Sequence, residues 1–452
     1  MGALAYMSDY KNKKIAVIGL GSTGRSCVKW LVSKGYEVKV FDTRESVAGV
    51  DAFRLEYPQV EVKFGALMLD DFSDIDMLVC SPGVSVKERV LQQLLNNDVE
   101  LVGDIELFAR EVKQPIIAIT GSNGKSTVTT LVGEMARASG LDAVIAGNIG
   151  TPVLDLLADD PKELYVLELS SFQLETTYGL RPNVAVVLNI SPDHMDRYDD
   201  LEEYAEAKAR IYNDANICII NRDDPAVVAM VHGDNIVGFT LGEPASEKDF
   251  GLRNFEGNEW ICKGKEKIMP VKELSLAGRH NVANALAALA ICEAQKLDRL
   301  ACVQVLKNFQ GLPHRSQRVA VINGVQWIND SKGTNVGATM AAVAGMDGPV
   351  WLIAGGQSKD QDFSALAPVV AEKAKAVLLY GEDAGIIEQA IEGSAPIIRV
   401  QNLKEAVDVA YARAEEGDSV LLSPACASFD MFRNYVERGE VFIQLVEDLQ
   451  HP

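Results

Sequence analysis

The sequence predicts an α/β protein of three domains, and three observations carry that prediction. At 452 residues the chain has room for three domains of roughly 150 residues each. Strand-like and helix-like segments alternate along nearly its whole length, the order that builds parallel sheets flanked by helices. Two glycine-rich loops each lie between a strand and a helix, where loop amides and a helix N-terminus together favour phosphate groups.

The first unit reads as a strand over residues 13–18, a glycine turn, a helix over 23–34 and a strand over 38–41. A further strand over 77–80 is cut off by Ser81-Pro82-Gly83. The second unit opens after Val102-Gly103-Asp104. It holds a strand over 115–120, a helix over 125–139, and strands rich in Val, Ile and Leu over 164–169, 184–189 and 217–221. A helix over 202–212 lies between the last two. The polar, glycine-rich stretch 233–270 reads as a short antiparallel excursion, and 280–295 as an Ala-rich helix. Gly311-Leu312-Pro313 punctuates the chain again. Strands follow over 325–328, 350–354, 376–380, 397–400 and 420–422, separated by helices, with a last helix over 429–449.

Charge and cysteine usage narrow the function. Lys plus Arg number 43 against 64 Asp plus Glu, a net charge of −21. A chain so acidic lacks the basic face that binding nucleic acid or an anionic membrane requires, yet it can hold a small anion in a locally positive pocket. The longest apolar runs, such as 285–292, are too short to span a bilayer, and the N-terminal residues carry no secretory signal pattern. Seven Cys without a CxxC or CxxxH pattern read as reduced thiols of a cytoplasmic protein.

The first loop is Gly19-Leu20-Gly21-Ser22-Thr23-Gly24. Its glycines allow a tight turn and close approach to a pyrophosphate, and Asp42, ending the next strand, has the position of a ribose-binding acid. The pattern fits NAD and a UDP-type ligand equally, and also a turn that only packs helix on strand. The second loop is Thr120-Gly121-Ser122-Asn123-Gly124-Lys125-Ser126-Thr127. There amides would cradle ATP phosphates, Lys125 would reach the β and γ oxygens, and Ser126 would ligate Mg²⁺. Ile119 stands where the usual spacing has its first Gly, so the loop is a shortened variant.

Glu168 and Asp193-His194-Met195-Asp196 follow strands whose carboxyl ends face the same crevice as that loop. Glu168 beside Ser126 suits the hard oxygen coordination of Mg²⁺, whereas alone it reads as a solvated loop end and His194 as a structural histidine. Lys208, mid-helix, reads from composition alone as a solvent-facing charge. Past the second punctuation, Arg315 is placed to clamp a transferring phosphate across a domain interface, and by itself it reads equally as an ordinary linker arginine. Asp330 to Asn335 follow it, and Gly355 to Lys359 and Ser423 to Ser428, each after a strand, form loops suited to substrate recognition.

The strings TGSNGKST, LELSSFQLE, NISPDHMDRY, GRHNVANALAAL, GLPHR, NDSKGTN and SPACASFD occur in this order. Together they resemble the Mur ligase family, over residues 15–446. The phosphate loop is shared with folylpolyglutamate synthase, while DSKGTN (with Gly333 where Ala is familiar) and SPACAS are particular to the D-glutamate-adding member. The resemblance implies a Rossmann-like N-terminal domain over 1–103, a central P-loop ATPase-like domain over 104–311, and a C-terminal Rossmann-like domain over 312–452 that closes over ATP.

It also implies an ATP-dependent ligase that adds D-glutamate to UDP-N-acetylmuramoyl-L-alanine through an acyl phosphate, as a cytoplasmic monomer in peptidoglycan synthesis. The UDP-substrate would meet Gly21, Ser22, Thr23, Gly24, Asp42, Thr43 and, at the muramoyl end, Asn148. ATP would meet Gly121 to Thr127, Asn281, Asn284, Arg315, Asp330 and Lys332. Two Mg²⁺ sites would involve Ser126, Glu168, His194 and a carbamylated Lys208, which replaces the surface reading of that lysine. D-Glutamate would meet Thr334, Lys359, Ser428 and Tyr435, the last commonly Phe in the family. Lys125, His194, Lys208 and Arg315 would carry the chemistry. The competing readings are another Mur-type or folylpolyglutamate-type ligase, an NAD-dependent oxidoreductase, which leaves TGSNGKST without a task, and a regulatory nucleotide-binding module.

Overall fold

A computed structural model describes residues 13–276, 278–346, 348–358 and 360–450 and builds them around three sheets. The first consists of β1 (Lys14–Ile18), β2 (Glu37–Asp42), β3 (Glu61–Phe64), β4 (Met77–Cys80) and β5 (Glu100–Val102), all parallel, in the order β3-β2-β1-β4-β5. Ile15 to Ile18 are wholly buried, as a central parallel strand covered on both faces must be. The chain runs outward from β1 through β2 to β3, then crosses back to β4 on the other side of β1. The crevice at the strand carboxyl ends there is where such sheets take ligands, and the first glycine loop sits in it.

The second sheet has nine strands: β6 (Ile116–Thr120), β7 (Ala143–Gly147), β8 (Leu164–Glu168), β9 (Val184–Val187), β10 (Ile217–Asn221), β11 (Ile236–Phe239), β12 (Phe250–Phe255), β13 (Asn258–Lys263) and β14 (Glu266–Pro270). Their order is β14-β13-β12-β11-β10-β9-β6-β8-β7. The pairs β12–β13 and β13–β14 are antiparallel, the excursion that the polar stretch suggests. β6 lies between β9 and β8, so the phosphate loop leaves the sheet flanked by the ends of both. The Ala-rich helix Arg279–Ala294 buries every residue from Ala285 to Cys292 and packs with the helix Lys125–Ala138 in one core. Small side chains permit that close approach behind the loop.

The third sheet comprises β15 (Gln317–Ile322), β16 (Val325–Asn329), β17 (Val350–Gly355), β18 (Ala374–Tyr380), β19 (Ile397–Arg399) and β20 (Ser419–Leu422), in the order β15-β16-β20-β17-β18-β19. Only β15 runs antiparallel to its neighbour. Because β16, β20 and β17 are adjacent and parallel, the loops that follow them emerge side by side at one edge.

Sequence reasoning misses β3, β5, β7 and β15. All four are sheet edges, and β3 and β15 carry polar or half-buried residues at alternate positions, which weakens the apolar signal. The last helix runs over Tyr435–Asp448 rather than 429–449. Asn434 caps it by accepting the Glu437 amide at 3.0 Å, and the preceding residues form a loop in which Asp430 accepts the Glu382 amide. No helix among the described residues is long and apolar enough to cross a membrane.

Candidate active site

The phosphate loop bends through two glycines with positive φ, Gly121 at 148° and Gly124 at 84°. A Cβ on Gly124 would lie 2.5 Å from Asn284 Oδ1, so the loop and the Ala-rich helix fit only with glycine there. Lys125 Nζ folds into the ring of the loop and donates to the carbonyls of Gly121 and Ser122 at 2.6 and 2.8 Å. Not every amide assigned to phosphate faces outward. Those of Ser122 and Asn123 donate to the Asn189 carbonyl and side chain, which fixes the loop against the turn after β9. Ser122 Oγ adds bonds to Ser191 and Tyr204.

Glu168 ends β8 beside this loop and is 1% exposed. Its Oε1 accepts from Asn148 Nδ2 at 2.8 Å, whereas Oε2 is buried with no hydrogen-bond partner among the described residues. An ionised oxygen left so is costly, and a bound cation would satisfy it. Asn148, just after the edge strand β7, thus faces Glu168. Lys208 is 1% exposed, which overturns the solvent-facing reading drawn from composition. Its Nζ lies 3.4 Å from Thr120 Oγ1 and over the Tyr204 ring. Burial, reinforced by the charge of Lys125, pushes its pKa well below the usual lysine value, against the pull of Asp193 and Glu168. His194 has a positive φ of 59°, stands edge-on to Phe172, and holds Nε2 3.7 Å from Asp193 Oδ2. Among the described residues no three His, Cys, Asp or Glu side chains converge as a complete metal cage. Glu168, Ser126 and a carbamate on Lys208 would supply hard oxygens, with phosphates and water for the rest.

The third sheet reaches across to this loop. Arg315 Nη2 donates to Ser126 Oγ at 2.6 Å. Asn335 exchanges amide hydrogen bonds with Asn123 at 3.1 and 3.3 Å and donates to Asp193 Oδ2 at 3.2 Å. A cleft of about 580 Å³ lies between the sheets, lined by Asn123, Gly124, Thr127, Asn281, Asn284 and Arg315, with Asp330 and Lys332 opposite. Asp330 accepts from the Ser316 amide and the Ser423 hydroxyl, and burial pushes its carboxyl up to about 6. A Cβ at Gly333 would stand 2.5 Å from Asp330 Oδ2, so glycine there makes room for this buried carboxyl.

Of the residues assigned to D-glutamate, Thr334 and Ser428 follow β16 and β20, and Ser428 is buried. Lys359 lies outside the described residues. Lys332 Nζ lies over the Tyr435 ring, 3.9 Å from its centroid. In the first sheet, Gly21 has nothing within 4 Å of a built Cβ, whereas a Cβ on Gly24 would overlap the Gly19 carbonyl. One glycine leaves room for a ligand and the other lets helix meet strand. Ser22 and Thr43 are exposed and Thr23 is half-buried. Asp42 is not an open ribose acid. Its carboxylate is 2% exposed and accepts from the Leu20 amide and from the Arg44 amide and guanidinium. Burial alone would raise its pKa, but Arg44 and the two amides bring it below the usual value.

Three family models match the chain: a Mur ligase MurD-like N-terminal domain over 13–103, a Mur ligase middle domain over 119–292, and a Mur ligase glutamate ligase domain over 314–426. The chain belongs to the Mur ligase family. Among curated Mur ligases it is 50% identical to the UDP-N-acetylmuramoylalanine–D-glutamate ligase of Methylobacillus flagellatus, over 98% of this chain and 99% of that protein. It is 48% identical to the one of Nitrosococcus oceani over 96% of each. Its fold matches solved Mur ligases, MurF from Acinetobacter baumannii (TM-score 0.62, 17% identity, 98% of this chain and 92% of that one) and the UDP-N-acetylmuramate-alanine ligase MurC from Thermotoga maritima (0.60, 18%, 97% and 100%).

Sequence reasoning named Asp193 and Asn335 only within crevice or loop segments, without a role of their own, and left out Tyr204 and Arg438. Asn335 carries a readable signal, an N-cap before the helix Val336–Ala344. Arg438 carries none. It is wholly buried, and its guanidinium donates to Ser331 Oγ and the carbonyls of Ser331 and Cys426, holding the loops after β16 and β20 together.

Proposed function

We propose that this Mur ligase adds D-glutamate to UDP-N-acetylmuramoyl-L-alanine, consuming ATP and releasing ADP and phosphate, in the cytoplasmic assembly of peptidoglycan. The observation that carries the reading is the meeting of Arg315 with Ser126 across the cleft, in a chain half identical along its length to D-glutamate ligases. Residues 1–103 hold the UDP part through Gly21 to Gly24 and Thr43, with Asp42 pinning the loop. Residues 104–311 hold ATP, and residues 312–452 close over it and bring D-glutamate. Seven free cysteines support a reducing compartment, and the protein acts as a monomer.

A carboxylate is inert to amines because oxide is a poor leaving group. Its oxygen therefore attacks the γ-phosphorus of ATP, giving an acyl phosphate and ADP. The D-glutamate amine then attacks the acyl carbon, loses a proton, and phosphate leaves. Lys125 and Arg315 neutralise charge on the transferring phosphoryl group from opposite sides of the cleft. Asn281 and Asn284 orient the nucleotide, with Asp330 and Lys332 facing it. Closure through Asn335 and Arg315 keeps water from the acyl phosphate. Mg²⁺, when bound, offsets phosphate charge; Glu168 and Ser126 would hold one ion, and His194 with Lys208 a second. Lys208 suits this because a buried, neutral amine adds CO₂, forming an N–C bond and releasing a proton, to become an anionic oxygen donor. Thr334, Lys359 and Ser428 receive the two D-glutamate carboxylates, with Tyr435 beside them.

The test is ADP and phosphate release with UDP-N-acetylmuramoyl-L-alanine and either D-glutamate, L-glutamate or other amino acids. Release strictly dependent on D-glutamate is expected. Release indifferent to it overturns the substrate assignment.

A further inference from the structure

Resting on that ligase reading, we infer that Gln361 is a positioning residue that sets the geometry of the amino-acid pocket by tying together the three loops that emerge from β16, β17 and β20. Gln361 is 6% exposed. Its Oε1 accepts the Val336 amide at 3.0 Å, where the loop after β16 enters a helix. Its Nε2 donates to the Ser358 carbonyl at 2.7 Å, after β17, and lies 3.4 Å from the Ala425 carbonyl, after β20, and 3.5 Å from that of Thr334. A primary amide has two N–H donors and one carbonyl acceptor. One hydrogen is spent on Ser358, and the other is shared between Ala425 and Thr334.

No other side chain fits this junction equally. Methionine fills the volume but leaves the Val336 N–H and the Ser358 carbonyl unsatisfied in a buried place. Glutamate keeps the acceptor for Val336 but, ionised, turns an oxygen toward three carbonyls. The junction also reaches the phosphate side. Val336 begins the helix capped by Asn335, and Asn335 bonds Asn123 and Asp193. Gln361 therefore holds Thr334 and the start of the Ser423–Ser428 loop in fixed relation to the turn that meets the phosphate loop. Being buried beneath these loops, it acts through them.

Steady-state kinetics on the full-length Gln361→Met and Gln361→Glu variants test this, with D-glutamate, ATP and UDP-N-acetylmuramoyl-L-alanine varied separately. Loss of one or two neutral hydrogen bonds predicts a KM for D-glutamate raised about tenfold in Gln361→Met. The KM for ATP should stay within about twofold, and the preference for D-glutamate over D-aspartate should fall. Gln361→Glu should show the same defect at pH 8 and recover as pH falls, because the protonated carboxyl again offers one donor and one acceptor. An unchanged KM for D-glutamate in Gln361→Met overturns the proposal. So does a uniform loss of kcat with both KM values altered alike and a lowered Tm, the mark of a merely structural role. Should Gln361→Met fail to fold, the pH dependence of Gln361→Glu decides, and its absence overturns the proposal. Failure of the wild type to use D-glutamate defeats the ligase reading instead and is seen in the control.

Discussion

Replacing Asp330 by Asn should make the third sheet gain stability relative to wild type as pH rises toward neutrality. The carboxyl is 8% exposed, with Oδ1 on the Ser316 amide at 3.0 Å and Oδ2 on the Ser423 hydroxyl at 2.7 Å. Burial lifts it to about 6, against the pull of those bonds and of Arg315 and Arg438. An unfolded Asp titrates near ~3.9. Below that pH both states hold the proton; as pH rises to about 6, only the unfolded chain releases it, so folded stability falls through this window. Two pKa units correspond to about 3 kcal/mol, of which about 2 kcal/mol falls between roughly pH 4.5 and 7.5. Asparagine does not ionise, keeps the acceptor for Ser316, and leaves Ser423 free to donate to Thr339 Oγ1, 3.1 Å away. The stability of the variant relative to wild type should therefore rise by about 2 kcal/mol between those pH values, whatever constant offset the altered hydrogen bonds add. Trp327 and Trp351 lie on the strands either side of β20, so urea unfolding is followed by their fluorescence in a Trp30→Phe, Trp260→Phe background. A difference that is flat, or that falls with pH, refutes the reasoning.

Three further outcomes follow from the geometry. Arg315→Lys replaces a planar fork by a point charge at a 2.6 Å contact with Ser126 and should lower kcat about 100-fold in the ADP-release assay; retention of half the wild-type rate removes Arg315 from phosphoryl transfer. Gly24→Ala drives a Cβ into the Gly19 carbonyl, whereas Gly21→Ala points one into open space. The first should cost about 2–4 kcal/mol of first-domain stability and the second less than about 1 kcal/mol, while Gly21→Ala raises the KM for the UDP-substrate; equal losses of stability in the two variants contradict that division. Lys208→Met removes a buried amine without opening a cavity, so Tm should hold or rise while turnover falls at least about 100-fold, with partial recovery in formate or acetate. Full turnover in the variant excludes a carbamate role.

What was legible in the sequence, and what was not, divides by the kind of partner each residue has. The strand–glycine loop–helix order is local, so both loops could be located, and Arg315 could be assigned to a cleft because Gly311-Leu312-Pro313 separates it from the segment before. Lys208 was legible only in part. Tyr204, Ala207 and Lys208 share one buried helix face, a spacing that signals burial, but the charge overrides that signal until Glu168, Lys125 and Asp193 are known to surround it. Asp42 misled for the opposite reason: its position matches an open acid, while the Arg44 guanidinium that closes it is set by side-chain conformation. Arg438 and Gln361 were illegible. They bond chiefly to backbone groups, most of them on loops elsewhere in the chain, and since every residue carries such groups, no residue type marks the partner. A substitution at either position would look tolerable from sequence alone. The buried carbonyls that a substitution leaves behind have no water to replace the lost donors, so these two side chains, which touch no reacting atom, should be among the least replaceable in the third domain.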